Sequence, residues 1–243
     1  MIKTISRKFY RLKTSRNYLK LIKFLHDIFG EKFRKKIEIP KLYNNTIHRK
    51  EVINRIIKLK NFKNYLEIGC DQNELFSAVD IDTKVGVDPN SGGTHRMTSD
   101  NFFSQNKKKF DLIFIDGLHT YTQTLKDIKN SLNILNNTGF ILLHDCFPLS
   151  YYDQAVPRAQ RKWNGDVWKA IVEMRTQEYV DTYVGAFDNG IGLIIKRKNK
   201  KILQKPIKEF NKLKYEEYYN NYETYLNLIS KDDFFKVINE HKQ

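Results

Sequence analysis

Two short apolar runs constrain this chain most: Phe110-Asp-Leu-Ile-Phe-Ile-Asp-Gly-Leu-His119 and Phe140-Ile-Leu-Leu-His-Asp-Cys146. Each has the length of a strand and is apolar on both faces of the pleat, which is how a parallel strand covered by helices on both sides reads. Such strands belong in the middle of a layered α/β sheet. Each run also ends in an aspartate with a histidine nearby. Ligands of open α/β sheets gather beyond the carboxyl ends of the strands, so Asp116, His119, His144 and Asp145 are expected at one edge. A buried carboxylate needs a partner, a metal or a proton, so acids placed there call for a chemical role. Consecutive strand residues point to opposite faces; His144 and Asp145 share a site only if the chain turns between them.

A chain of 243 residues with 40% hydrophobic content suits one α/β domain with an appendage. It has no apolar run long enough to span a membrane, and its basic start lacks the apolar core of a signal peptide. The expected location is the cytoplasm, with membrane association left open. Cys70 and Cys146, at the ends of different strands, are expected as free thiols of a reduced compartment. The formal charge of +15 points to an anionic partner without naming it.

Most of that surplus lies at the start. Residues 1–36 hold 12 Lys/Arg against Asp27 and Glu31, a net 12 − 2 = +10. Tyr18, Leu21, Ile22, Leu25, Ile28 and Phe29 recur at helical spacing there. This predicts a helix packed on the domain by its apolar stripe with a solvated basic face. A surface for lipid head groups or RNA is the competing reading. We divide the chain into a basic helical extension (1–45), a catalytic-type α/β domain (46–198) and a partly helical tail (199–243). Gly30 and Pro40 bracket a loop, and a second helix shows Val52, Ile53, Ile56 and Ile57 on one face.

From there strands and helices alternate. Tyr65-Leu-Glu-Ile-Gly69 and Val85-Gly-Val-Asp88 read as strands, with a short third one around residues 95–98. A helix carrying Leu125, Ile128, Leu132 and Leu135 follows the Asp116 strand, with Thr120 and Gln123 as a capping box. Asn136-Asn-Thr-Gly139 turns the chain into the Asp145 strand. Val167, Ala170, Ile171 and Met174 mark another helix, capped by Asn164 or Asp166. Asp188-Asn189-Gly190 then joins two antiparallel strands, 179–187 and 190–197, in a hairpin. The architecture expected is a doubly wound, mostly parallel, seven-stranded sheet.

The first strand ends Glu67-Ile68-Gly69-Cys70-Asp71 and the second ends in Asp88. Gly69 allows close approach to the backbone, and an acid in the place of Asp88 can accept hydrogen bonds from ribose hydroxyls. A pyrophosphate-binding loop needs G-x-G-x-x-G; one glycine among acids argues for a nucleoside cofactor without phosphates. With Glu67-Ile-Gly69, Val87-Asp88-Pro89, Phe110 to Asp116 and Gly139 to Asp145, the chain resembles the class I S-adenosylmethionine-dependent methyltransferases over residues 48–197. Asp71 and Asn73 stand where that family commonly has glycines. The resemblance implies S-adenosylmethionine as cofactor. It would lie among Glu67 and Gly69 at the methionine moiety, Asp88 at the ribose, Ser99 and Asp100 near the adenine, and Asp116.

Aspartates from neighbouring strand ends suit Mg²⁺ or a similar divalent cation, and His119, three residues past Asp116, suits a general base. Asp-x-x-His followed by an acid-tipped strand resembles the metal-dependent sugar O-methyltransferases. That resemblance implies Asp116 and Asp145 as metal ligands, with His144 in the place of a glutamate, and His119 as the base. A core histidine bonded to a carbonyl is the alternative for His144. Trp163 is expected to shape a pocket, Trp168 to lie in the core, and Tyr151, Tyr152 and Arg158 to belong to a lid. The function expected is methyl transfer to a hydroxyl of an anionic carbohydrate or sugar nucleotide. RNA methylation and a non-catalytic membrane-surface or assembly role are the alternatives. Asp-Gly-Leu-His at the Asp116 strand end, in place of Asn/Asp-Pro-Pro-aromatic, argues against base amines.

Overall fold

The computed structural model describes residues 15–39 and 46–241. Residues 1–14 of the basic extension, and Pro40, lie outside them. In chain order the elements are α1 (Arg16–Phe29), α2 (Arg49–Lys60), β1 (Asn64–Ile68), α3 (Glu74–Ala78), β2 (Thr83–Val87), α4 (Ser99–Gln105), β3 (Phe110–Ile115), α5 (Tyr121–Ile134) and β4 (Leu135–Leu143). Then come α6 (Tyr151–Gln154), α7 (Val167–Arg175), β5 (Asp181–Gly185), β6 (Ile191–Ile195), a 3₁₀ turn (Phe210–Lys212), α8 (Tyr215–Leu226), β7 (Leu228–Ile229) and α9 (Lys231–Glu240).

The seven strands form one sheet in the order β2-β1-β3-β4-β6-β5-β7. β2, β1, β3 and β4 run parallel, and β6 pairs antiparallel with both β4 and β5. The two apolar runs are the adjacent central strands β3 and β4, as their composition requires. Pleating sends Ile113, Ile115, Ile141 and Leu143 to one face, where α5, α7 and α8 cover them. Leu112, Phe114, Phe140 and Leu142 face the other side, under α2 and α9. Asp188, Asn189 and Gly190 all take positive φ, the conformation that a tight hairpin between right-twisted strands demands.

Several local expectations change. The third strand near His95 shrinks to one bridge with Val87, because the stretch has no apolar run to hold it under a helix. The seventh strand is instead β7, from the tail, paired parallel with β5. β4 begins at Leu135 and takes in the Asn136–Gly139 turn residues across a register shift. Thr120 makes no capping bond; the Asp166 carboxylate accepts the Tyr121 N–H at 2.6 Å and so caps α5 from the start of α7. Tyr151 and Tyr152 do not form a lid. Tyr151 is buried beside His26, and Arg34 stacks over its ring 3.9 Å from the centroid.

Trp168 is core, as expected, with 0% exposure and its ring 4.5 Å from that of Tyr218 in the tail. Cys70 and Cys146 are buried free thiols. Among the described residues no helix is long and apolar enough to cross a membrane. Trp168→Ala should lower unfolding stability by about 3–5 kcal/mol, the usual result of emptying a core indole site; a denaturant melt checks it.

Candidate active site

The parallel strands β1, β2, β3 and β4 all end at one edge, and a cleft of about 1000 Å³ opens there. Every predicted site residue lines it: Glu67 near the end of β1 and Gly69 just after it, Asp88 after β2, Ser99 and Asp100 at the start of α4, Asp116 and His119 after β3, and His144 and Asp145 after β4. Eight carboxylates line this cleft against one arginine, Arg49. The surplus positive charge of the chain therefore lies elsewhere.

The loop after β1 shows why the missing glycines matter little to its shape. Asp71 and Asn73 adopt φ of 41° and 67°, the left-handed region that glycine usually fills and that Asp and Asn tolerate best. Asn73 Oδ1 accepts the Gly93 N–H at 2.6 Å. Gly69 has φ of 90°, and a Cβ added there would meet the Asp116 carbonyl oxygen at 2.2 Å. This glycine is required by the neighbouring strand end.

Asp88 is buried, and its carboxylate accepts N–H bonds from Asp71 (3.0 Å), Asn90 (2.7 Å) and Ser91 (2.8 Å), which tie two loops together at the cleft wall. Glu67 is buried and accepts the Tyr65 hydroxyl at 2.6 Å. Burial pushes its carboxyl up to about 7, against the pull of that hydroxyl, and the Asp116 charge adds to the rise. At the other end, Gln123 donates to Ser99 Oγ (3.2 Å), Asp100 (3.2 Å) and Asp127 (3.1 Å). Asp100 also pairs with Lys126 at 2.7 Å, the leading reason its carboxyl titrates low.

The four strand-end residues meet. His119 Nε2 is 3.2 Å from Asp116 Oδ1, and His144 Nδ1 is 3.4 Å from both Asp116 Oδ1 and Asp145 Oδ2. The turn that allows this is at Asp145, whose φ of 59° breaks strand alternation straight after His144. Burial alone would raise the Asp116 carboxyl, but the imidazoles of His144 and His119 outweigh it and hold it well below the carboxylate range. Burial would likewise lower both imidazoles. Asp116 instead raises His119, helped by Asp145, and raises His144 strongly. His144 bonds no carbonyl in the manner of a core histidine; its Nε2 faces Asp188 Oδ1 at 3.4 Å and Arg49 at 3.3 Å.

Asp116, His144 and Asp145 each offer one ligand atom, all within 4.8 Å of one another, a donor set that fits a divalent cation. His119 Nδ1 lies 3.1 Å from Asp145 Oδ2 but off hydrogen-bond alignment, a buried polar atom without a bond of its own. The residues present therefore fit a cation.

Residues that sequence reasoning missed complete the surround. Asn164 donates to Asp145 Oδ1 at 3.1 Å, and Asp188 lies behind His144 while its other oxygen accepts the Arg49 N–H at the start of α2. Asp188 was legible only as a turn former, and Arg49 only as one of many surface cations. Trp163 stacks on His119 with ring centroids 5.3 Å apart and planes 12° apart, and Arg158 lies over its ring at 5.6 Å. The indole thus shapes the wall beside His119.

Residues 60–146 match the family described as "Methyltransferase domain". No curated protein matches the chain. Among solved structures, the SAH-bound methyltransferase PaMTH1 of Podospora anserina is 15% identical, with a TM-score of 0.51, over 62% of this chain and 78% of that one. A putative caffeoyl-CoA O-methyltransferase from Staphylococcus aureus is 16% identical, with a TM-score of 0.47, over 80% and 98%. The O-methyltransferase from Bacillus cereus is 10% identical, with a TM-score of 0.45, over 81% and 100%. The matched segment contains the Glu67, Asp88, Asp116 and His144–Asp145 positions at the cleft. Residues 60–146 thus resemble a methyltransferase domain, and the chain shares its fold with a solved methyltransferase.

Proposed function

We propose that the protein transfers the methyl group of S-adenosylmethionine to a hydroxyl of an anionic carbohydrate or sugar nucleotide, assisted by a divalent cation. One observation carries the reading: an imidazole, His119, stands between two strand-end aspartates in a cleft that also holds Asp88 and Glu67. S-adenosylmethionine presents an electrophilic methyl on a sulfonium and is itself cationic, which suits a cleft walled by carboxylates. Asp88 retains acceptor capacity for ribose hydroxyls beyond the N–H bonds it already takes. Glu67 and Gly69 line the cleft near Asp116, and Ser99 and Asp100 line it at the start of α4.

A cation held by Asp116, Asp145 and His144 would lower the pKa of a coordinated hydroxyl and fix its orientation. His119 takes the proton. Its charged form is favoured by the two aspartates; once those charges are engaged, the neutral imidazole needed for a base becomes accessible. Trp163 holds the ring plane by stacking, and Asn164 holds Asp145 in place. Arg49, the one arginine lining the cleft, suits a carboxylate or phosphate of the acceptor.

Three outcomes test the reading. Asp88→Ala should weaken S-adenosylmethionine binding by about 1.5–3 kcal/mol in calorimetry, the scale of hydrogen bonds to a charged group; unchanged affinity in a folded variant removes Asp88 from the ribose.

Glu67 supplies a pH test. Its folded-state carboxyl is neutral below about 7, and a cationic ligand favours the charged form. Affinity for S-adenosylmethionine should therefore rise as pH climbs through that value and level off above it. Glu67→Gln should flatten the profile, and a wild-type profile already flat would count against contact with the cofactor.

For the chemistry, His119→Ala should cut turnover ~10²–10⁴-fold with cofactor affinity nearly intact, measured with labelled cofactor on sugar nucleotides and glycans. Full activity after exhaustive chelation would remove the cation while leaving the base.

A further inference from the structure

A surface helix usually turns its apolar stripe inward; helix α1 turns most of its large apolar side chains outward. Its inward side has two apolar residues, the buried Leu19 and Ile22 packed on the core, and is otherwise held by polar and aromatic contacts at its edge. His26 bonds the Tyr151 hydroxyl at 3.0 Å and the Pro157 carbonyl at 2.9 Å, Asp27 accepts from the Tyr152 hydroxyl, and Lys23 lies 4.8 Å over the Tyr152 ring. Only Leu19 is fully buried.

The outward side carries Leu21, Phe24, Leu25, Ile28 and Phe29 at spacings of three and four, with Phe24 58% and Phe29 80% exposed. These five make up half of the large exposed apolar side chains among the described residues. A contiguous patch of that kind marks a docking surface.

The surrounding charge selects the occupant. Arg16 and Lys20 border the stripe, Lys32, Lys35 and Lys36 follow the helix, and residues 1–14 add five Lys/Arg and no acid. A second copy would bring like charges of this size face to face, which opposes self-association. An apolar stripe edged by lysine and arginine instead matches a helix lying in the interface of an anionic bilayer, with its side chains among acyl chains and its cations among head groups. We infer that α1 seats the protein on an anionic membrane surface.

The test is co-sedimentation of the full chain with vesicles of phosphatidylcholine alone or mixed with phosphatidylglycerol, at low salt and at ~1 M salt, where screening shortens to about 3 Å. The wild type should pellet with the anionic vesicles at low salt and be at least tenfold less bound to the neutral ones. Phe24→Ser with Ile28→Ser should lower anionic binding at least tenfold while S-adenosylmethionine affinity stays unchanged, since neither residue lines the cleft. Phe24→Trp, which keeps the bulk, should be quenched by brominated lipid. Three results would overturn the inference: no wild-type binding, binding indifferent to the double substitution, or a lipid-free dimer that the double substitution dissolves.

Discussion

Asp116 and Asp145 can share one corner of the molecule because two imidazoles stand between them. Their carboxylate oxygens come within 4.8 Å of each other, a separation at which like charges in a partly desolvated site repel, and burial penalises each charge further. His144 and His119 reverse the sign of that balance: Asp116 is held ionised and both rings are held toward their charged forms. The rest of the cleft is arranged around this cluster. Asp188 and Arg49 close it from the hairpin and from α2, Asn164 fixes Asp145, and Trp163 fixes the His119 plane. The cluster accordingly couples four parts of the chain, and a change in any of them is felt at the others.

Charge is segregated across the molecule. The chain carries +15 overall, yet its cleft is walled by acids. A net charge computed from composition says nothing about where a field is focused, and here the cations of residues 1–36 and the acids of the cleft have different partners to satisfy. An acid-walled cleft is electrostatically suited to cations, and a basic extension to anions. Arg49 is the one arginine lining the cleft, so local geometry rather than overall charge sets the field there.

Much of the site was legible in the sequence because strand-end positions follow from burial patterns. An apolar run tipped by Asp116 or Asp145, and an acid ending the second strand, need only local information and the rule that sheet ligands gather at carboxyl ends. The turn at Asp145 was the condition left open, and its positive φ meets it. Trp163 was legible as a pocket residue, but the pairings made from far along the chain were not. Trp163 reaches His119 across 44 residues, as does Asp188 to His144. Asp166 leaves its own helix uncapped to cap α5, which no local capping rule anticipates.

Helix α1 marks the same boundary most plainly. The periodicity of Leu21, Leu25, Ile28 and Phe29 determined that a helix forms and which side of it is apolar. Which side faces the domain depended on His26 and Asp27 meeting Tyr151, Tyr152 and Pro157, residues more than 100 positions away. Likewise, composition determined that β3 and β4 are central strands, while the tail decided the seventh strand and placed Tyr215, Tyr218 and Tyr225 in the core. Local sequence sets backbone preference and the apolar face through short-range sterics and hydrophobic spacing. The pairing of faces and of charges is a property of surfaces brought together only when the chain has folded, and that part belonged to the tertiary structure alone.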